Sequence, residues 1–341
     1  MKKFHQFQHP PIFQGVLDGE FYFEGWYFKM VSINEEDVLA LIPGIALNKK
    51  NKSSHAFIQI LDGIHAQYHY ISYPLEEFRT SKNHFFVKIR KSSFNKKGIH
   101  LDINEKNVLL SGDLRFKTQV PLPYHGFSPG VMGIFTYIPF MECNHGVVSM
   151  DHFVEGTLNL SFNPSSPGKE ERLLSFNGGK GYIEKDWGSS FPRNWIWMQS
   201  NNFREPRRSI LVSIATIPFL GAEFTGFLAV LFDRGKIFRF GTYNLSRFKI
   251  LDLSSNSVHL RIQKGDLLLF IKAEKPTNNQ SKTAMMNAPT KGLMSARCAE
   301  TIQGQILARV FKIKGGSEPL LVFSDTGSSA GLEIMGKKED F

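Results

Sequence analysis

Short apolar runs closed by glycine- or asparagine-bearing turns recur along almost the whole chain. A polypeptide patterned this way reverses too often for long helices and must lay its segments side by side. In the first half the runs fall at Phe21 to Ile33, Val38 to Ile45, His55 to Leu61, Ala66 to Ser72, Phe85 to Arg90, Ile99 to Ile103 and Val108 to Phe116. Asp62-Gly63 reads as a tight hairpin turn, and Lys97-Gly98 and Glu105-Lys106-Asn107 mark further reversals. The second half resumes the rhythm at Trp195 to Ser200, Ser209 to Ile217, Phe224 to Phe232, Lys236 to Tyr243, Val258 to Gln263, Leu267 to Ala273, Gln305 to Ile313 and Leu320 to Phe323. Asp233-Arg234-Gly235 and Lys264-Gly265-Asp266 supply its hairpin turns. Abundant phenylalanine, glycine and proline (31, 29 and 16 residues) fit many short strands, so the expected class is all-β.

A length of 341 residues exceeds one ordinary core and implies two domains. Each half opens on a tryptophan strand: Trp26 lies in Glu24-Gly25-Trp26-Tyr27-Phe28-Lys29-Met30, and Trp195 follows 169 residues later. Asn163-Pro164-Ser165-Ser166-Pro167-Gly168-Lys169 is the most linker-like segment, which places the expected domains at 1–165 and 166–341. Two meanders of this size suggest paired antiparallel barrels or sandwiches, each able to enclose an apolar cavity. The aromatic stretch from Pro121 to Phe140 is too broken by proline and glycine for a central strand and is expected to lie over or between the barrels. Glu274 to Gly292 is polar and is expected to be mobile.

Lysine and arginine outnumber aspartate and glutamate by 41 to 31, giving a net charge of +10. The basic residues occur in small clusters with no nucleic-acid-binding motif, so nucleic acid is not expected as a partner, whereas an anionic membrane surface is. Cys143 and Cys298 stand alone in different halves, which excludes a disulfide framework and a paired-cysteine zinc site and suits a cytoplasmic setting. Polar residues and prolines follow Met1-Lys2-Lys3 where a secretion signal needs an apolar stretch, and no window is apolar for the length of a membrane-spanning helix. Any membrane contact is therefore expected to be peripheral, on the inner face.

Chemistry concentrates between Gly181 and Gln199, which holds three of the four tryptophans beside two carboxyls. If this stretch begins as a strand, Tyr182, Glu184 and Asp186 share one face and Ile183, Lys185 and Trp187 the other. A carboxyl in an apolar setting stays protonated and can serve as an acid, while aromatic faces stabilise cations. Core packing and rim ion pairs are the competing roles for the same residues. Gly126-Phe127-Ser128-Pro129-Gly130 imitates a nucleophile elbow, but Pro129 lacks the backbone N–H an oxyanion hole requires. Gly178-Gly179-Lys180-Gly181 lacks the spacing of a phosphate-binding loop and reads as a bend. His145, Asp151 and His152 are too sparse a set for a metal site, and no metal is expected.

The chain resembles the tocopherol cyclase family in Phe23 to Lys29, Ser54 to Gln59, Pro139 to His152, Gly181 to Phe203, Ala288-Pro289 and Gly331-Leu332-Glu333. In layout it is also similar to carotenoid 1,2-hydratase and related lipocalin-like hydratases. The resemblance implies tandem lipocalin-like β-barrels that protonate a prenyl alkene and let a phenol oxygen capture the cation, with no cofactor. It assigns Asp186 as acid, Glu184 as its partner or alternate, and Tyr182 or His152 near the phenol. Trp26, Phe28, Trp187, Phe191, Trp195 and Trp197 become the substrate-binding wall for a hydrophobic isoprenoid. The alternative is a non-catalytic lipid carrier, which an apolar lumen with Glu184 and Asp186 ion-paired outside it would favour.

Overall fold

The computed structural model describes residues 9–17, 19–124, 130–138, 141–164, 171–219, 222–276, 283–313 and 318–341. Among them the secondary structure is strand throughout, apart from short 3-10 turns such as Gly133–Tyr137. The first sheet contains β1 (Phe21–Val31), β2 (Val38–Asn48), β3 (His55–Asp62), β4 (Gln67–Pro74), β5 (Phe78–Thr80), β6 (Phe86–Ile89), β7 (Ser92–Asn95), β8 (Gly98–Glu105), β9 (Val108–Lys117), β10 (Cys143–Phe162), β11 (Arg172–Ser175) and β12 (Gly179–Gly188). The second contains β13 (Trp195–Ser200), β14 (Asn202–Phe203), β15 (Arg208–Phe219), β16 (Ala222–Asp233), β17 (Lys236–Gly241), β18 (Arg247–Leu253), β19 (Ser257–Lys264), β20 (Leu267–Glu274), β21 (Ala284–Thr290), β22 (Leu293–Lys312) and β23 (Leu320–Met335).

The all-β expectation holds, and most strands fall within a residue or two of their apolar runs. At Asp233-Arg234-Gly235 both Arg234 (φ 45°) and Gly235 (φ 95°) are left-handed, the geometry of a tight hairpin. Expected mobility in Glu274 to Gly292 is corrected in part: Ala284–Thr290 is a strand whose Ala284, Met286 and Ala288 are buried in alternation. Residues 277–282 of that stretch lie outside the described residues, as do 126–129 of the serine motif and 125–129, 139 and 140 of the aromatic segment.

The first sheet runs β4-β3-β2-β1-β12-β10-β9-β8-β7-β6-β5. Strands far apart in that order, such as β3 (Ile58) and β6 (Val87), contribute to one buried cluster, so the sheet must curl around its core. The second sheet runs β17-β16-β15-β13-β23-β22-β20-β19-β18 and curls likewise around Ile196, Met198, Leu260 and Leu332. The centre of each path is built alike: an opening tryptophan strand pairs with the closing strand of its unit, β1 with β12 and β13 with β23. The expected equivalence of Trp26 and Trp195 needs refinement, because Trp26 points into its core with Phe28 and Met30, while Ile196 and Met198, not Trp195, point into theirs.

The expected boundary at residue 165 itself lies outside the described residues. The strands after it, β11 and β12, remain in the first sheet. The two compact units are 1–122 with 145–190 and 289–295, and 123–144 with 191–288 and 296–341, so the chain crosses between them five times, and the crossing at Ser190–Phe191 precedes most of the second unit.

Candidate functional site

Strand β12 carries the candidate acids at the middle of the first sheet, between β1 and β10. Alternation separates its side chains as expected. Ile183 enters the core cluster, and Lys185 lies 4.8 Å from the ring centroids of both Trp26 and Trp187. On the opposite face the Tyr182 hydroxyl donates to Glu184 Oε2 at 2.6 Å.

His145, near the start of β10, joins the two carboxyls. Its Nδ1 lies 2.8 Å from Asp186 Oδ1 and its Nε2 3.3 Å from Glu184 Oε2. The imidazole is 12% exposed, Glu184 4% and Asp186 21%, so Asp186 is the member most open to an incoming molecule. Burial alone would lower the histidine's pKa, but Asp186 and Glu184 outweigh it and hold the ring protonated well above its ordinary range. The Tyr182 pKa is raised as well, the hydroxyl being made harder to ionise by burial and by Glu184. The result is a proton-holding cluster in which both ring nitrogens face a carboxylate, Nδ1 at hydrogen-bond distance and Nε2 at ion-pair distance.

The same three residues are a possible cation site by composition, since a ligand atom of each lies within 4.8 Å of the others. In the structure the ring faces one carboxylate with each nitrogen, Nδ1 towards Asp186 and Nε2 towards Glu184, whereas holding a metal would take one nitrogen and both carboxylates together.

On the core side the pattern is structural. The Lys185 ammonium and Glu24 form an ion pair at 2.5 Å, both fully buried. Lys185 also donates to the carbonyls of Pro10 (2.8 Å) and Ile12 (2.5 Å), and the Trp26 indole donates to Pro11 (2.9 Å). Glu24 accepts from Tyr22 and from the backbone amides of Gln14 and Gly15. Residues 10–15 thus close this end of the core, and burial brings Lys185 down to about 8 against the pull of Glu24.

The structure therefore divides the expected site. Tyr182, Glu184 and Asp186 share one face, while Trp26, Phe28 and Trp187 lie on the other, where Trp26 and Phe28 stack on Phe85 as core plugs. His152 also falls on the core side, against Phe116 (4.6 Å between ring centres) and Gly181. Burial pushes its pKa down to about 3, so it is neutral there and apart from the acids. Phe191, Trp195 and Trp197 belong to the second unit, where Phe191 meets Trp195 edge-on at 5.7 Å and the Trp195 indole donates to Glu333. Sequence reasoning weighed His145 only with Asp151 and His152, as a sparse metal set; Asp186, the partner that gives it meaning, is 41 residues away.

The chain is thus all-β, with two curled antiparallel sheets and a partly buried histidine held between two carboxylates. A model of the tocopherol cyclase-like family matches residues 127–336, more than half the chain, and the chain belongs to that family. Chloroplastic tocopherol cyclase of Zea mays is 29% identical over 180 residues, a region that covers 48% of this chain and 35% of that protein. The match thus spans about a third of the relative's length. Among solved structures the chain is similar to CghA (TM-score 0.58, 10% identity, 94% of this chain and 89% of that one). It is also similar to a putative AttH, NE1406, from Nitrosomonas europaea (TM-score 0.51, 14% identity, 93% of each chain). These likenesses establish the tandem lipocalin-like fold. Among the described residues no helix is long and apolar enough to cross a membrane.

Proposed function

We propose that this chain is a cyclase- or hydratase-type enzyme acting on a hydrophobic, prenylated small molecule, with the cluster on β12 and β10 moving the proton. The single observation that carries the proposal is His145 held between Asp186 and Glu184 on the face away from the first core. In water-free surroundings a charged pair is costly, and entry of an apolar substrate favours its collapse to a neutral imidazole and a neutral carboxylic acid. Asp186, the more exposed carboxyl, then gives its proton to the substrate alkene. The resulting tertiary cation is captured by the substrate's own phenol oxygen, or by water in a hydration. The O–H proton displaced at that oxygen returns to the Asp186–His145 pair, so the cyclisation is a net isomerisation and the enzyme ends as it began. Glu184 already accepts from Tyr182 and is nearly closed off, which suits it to holding the ring in place.

The test is turnover of a prenylated hydroquinone. Asp186→Asn keeps the shape and removes the acid, and its rate should fall by about 10² or more, with His145→Gln falling comparably. Full activity in both variants would overturn the assignment. The carrier reading draws on one observation, that Glu184 and Asp186 are ion-paired outside the first core rather than lining it. Against it stand the rings of Trp26, Phe28, Phe85 and Phe116, which fill that core with side chains where a carrier needs a lumen.

A further inference from the structure

We infer that the outer face of strands β18, β19, β20, β22 and β23 is a docking surface for an anionic lipid bilayer. In this part of the second sheet, Ile250, Leu260, Ile262, Leu269, Ile271, Ala308 and Val310 point into the core. Alternation turns the residues between them outward. Across the ladders the outward face reads Lys249 opposite Arg261, Arg261 opposite Phe270, and Phe270 opposite Arg309. The next rows place His259 opposite Lys272, Lys272 opposite Leu307, and Phe311 opposite Leu321. The four cations Lys249, Arg261, Lys272 and Arg309 are all exposed.

Large apolar side chains stand exposed on or beside this face, with Leu251 42%, Leu320 55%, Leu321 51% and Val322 45% open to solvent. Phe270 and Phe311 meet edge-on at 5.8 Å between them and floor a groove of about 370 Å³ that also touches Leu251, Leu307, Lys272 and Arg309. An uncovered apolar patch of this kind, rimmed by polar groups, marks an interaction surface.

Its charge selects the occupant. The acids on the same face are Asp252 and Glu274, and Glu274 is paired with Lys272 at 2.6 Å, which leaves a positive balance. A second copy packed face to face would set these cations against one another. Nucleic acid would use the cations but leave the leucines and valine in water. A bilayer with anionic headgroups takes both, the cations at headgroup level and Leu251, Leu321 and Val322 at the acyl boundary. The inference is independent of the proposed reaction, because no residue of this face belongs to the proton-holding cluster.

The test is sedimentation of the full chain with vesicles of phosphatidylcholine alone and of phosphatidylcholine mixed with phosphatidylglycerol. Binding is expected only to the mixed vesicles, and high salt should weaken it. The variant Arg261→Gln/Lys272→Gln/Arg309→Gln should bind roughly 100-fold more weakly, about fivefold for each charge removed. Leu251→Ser/Leu321→Ser should also bind more weakly, and both variants should keep the parent's circular dichroism. Asp186→Asn should bind like the parent, which separates failure here from failure of the proposed reaction. The inference is overturned if the parent ignores mixed vesicles, if the folded triple variant binds them equally well, or if the triple variant instead dissociates a dimer.

Discussion

His145 is the residue on which the reading of this site turns, and its protonation is open to direct test. Its folded pKa is raised above the ordinary value of about 6.5, so the stability it contributes is full below that pH and is lost as pH climbs through the raised value. The stability gap between the parent and His145→Gln should therefore be widest in mild acid and shrink on the alkaline side, as read by denaturant unfolding across pH. If the catalytic proposal holds, Asp186→Asn should also draw the histidine's NMR titration to lower pH, since one of the two carboxylates that hold its proton is gone. Lys185 carries the opposite sign. Its folded value of about 8 lies below its ordinary value, so the unfolded chain binds more protons between them, and stability should rise from pH 8 to about 10.5. That rise should vanish in Lys185→Met, which at neutral pH should lose about 3–5 kcal/mol by stranding Glu24 in the core. A Lys185→Met/Glu24→Gln double variant that is no more stable than Lys185→Met would show that the pair is not coupled as drawn.

Strand β12 does two jobs because its two faces are chemically different, and a single glycine lets it sit where it does. A Cβ built on Gly181 would lie 2.2 Å from His152 Nε2, inside any tolerable contact. Gly181→Ala should push the buried ring aside and cost about 1–3 kcal/mol in unfolding experiments. Gly181→Ala/His152→Ala should recover part of that loss, which a backbone effect alone would not allow. The alternation along β12 was legible in the sequence, since Tyr182, Glu184 and Asp186 must share a face wherever a strand forms. The expected company of those acids was not. Trp187 was drawn beside them by sequence proximity, and Trp26 by the family resemblance, which makes aromatic rings a wall that stabilises a cation. The cation those rings meet is Lys185, on the other side of the sheet.

At the scale of the molecule, two units of similar strand order are built from a chain that does not divide at its most linker-like segment. A fragment ending at residue 165 would lack β12, which sits between β1 and β10 in the middle of the first sheet. Expressed alone, residues 1–165 should show no cooperative unfolding transition, whereas residues 1–190, which keep β12, should show one by circular dichroism. A folded 1–165 fragment would mean that the first core closes without its central strand.

Composition, turn chemistry and apolar rhythm by themselves determined the strands, the all-β class, the doubling of the unit and the face on which the acids lie. These are local properties, fixed by which side chains neighbour each other along one strand or across one turn. Tertiary structure decided the partners. Only pairing of β12 with β10 brings His145 to Asp186, only its pairing with β1 seats Lys185 between two tryptophans, and only curling of the second sheet decides which of its residues are left outside. Proline, serine and glycine near residue 165 signal a break in the chain's local order, but the end of a unit is set by which strand fills the gap in a sheet, and that strand came later.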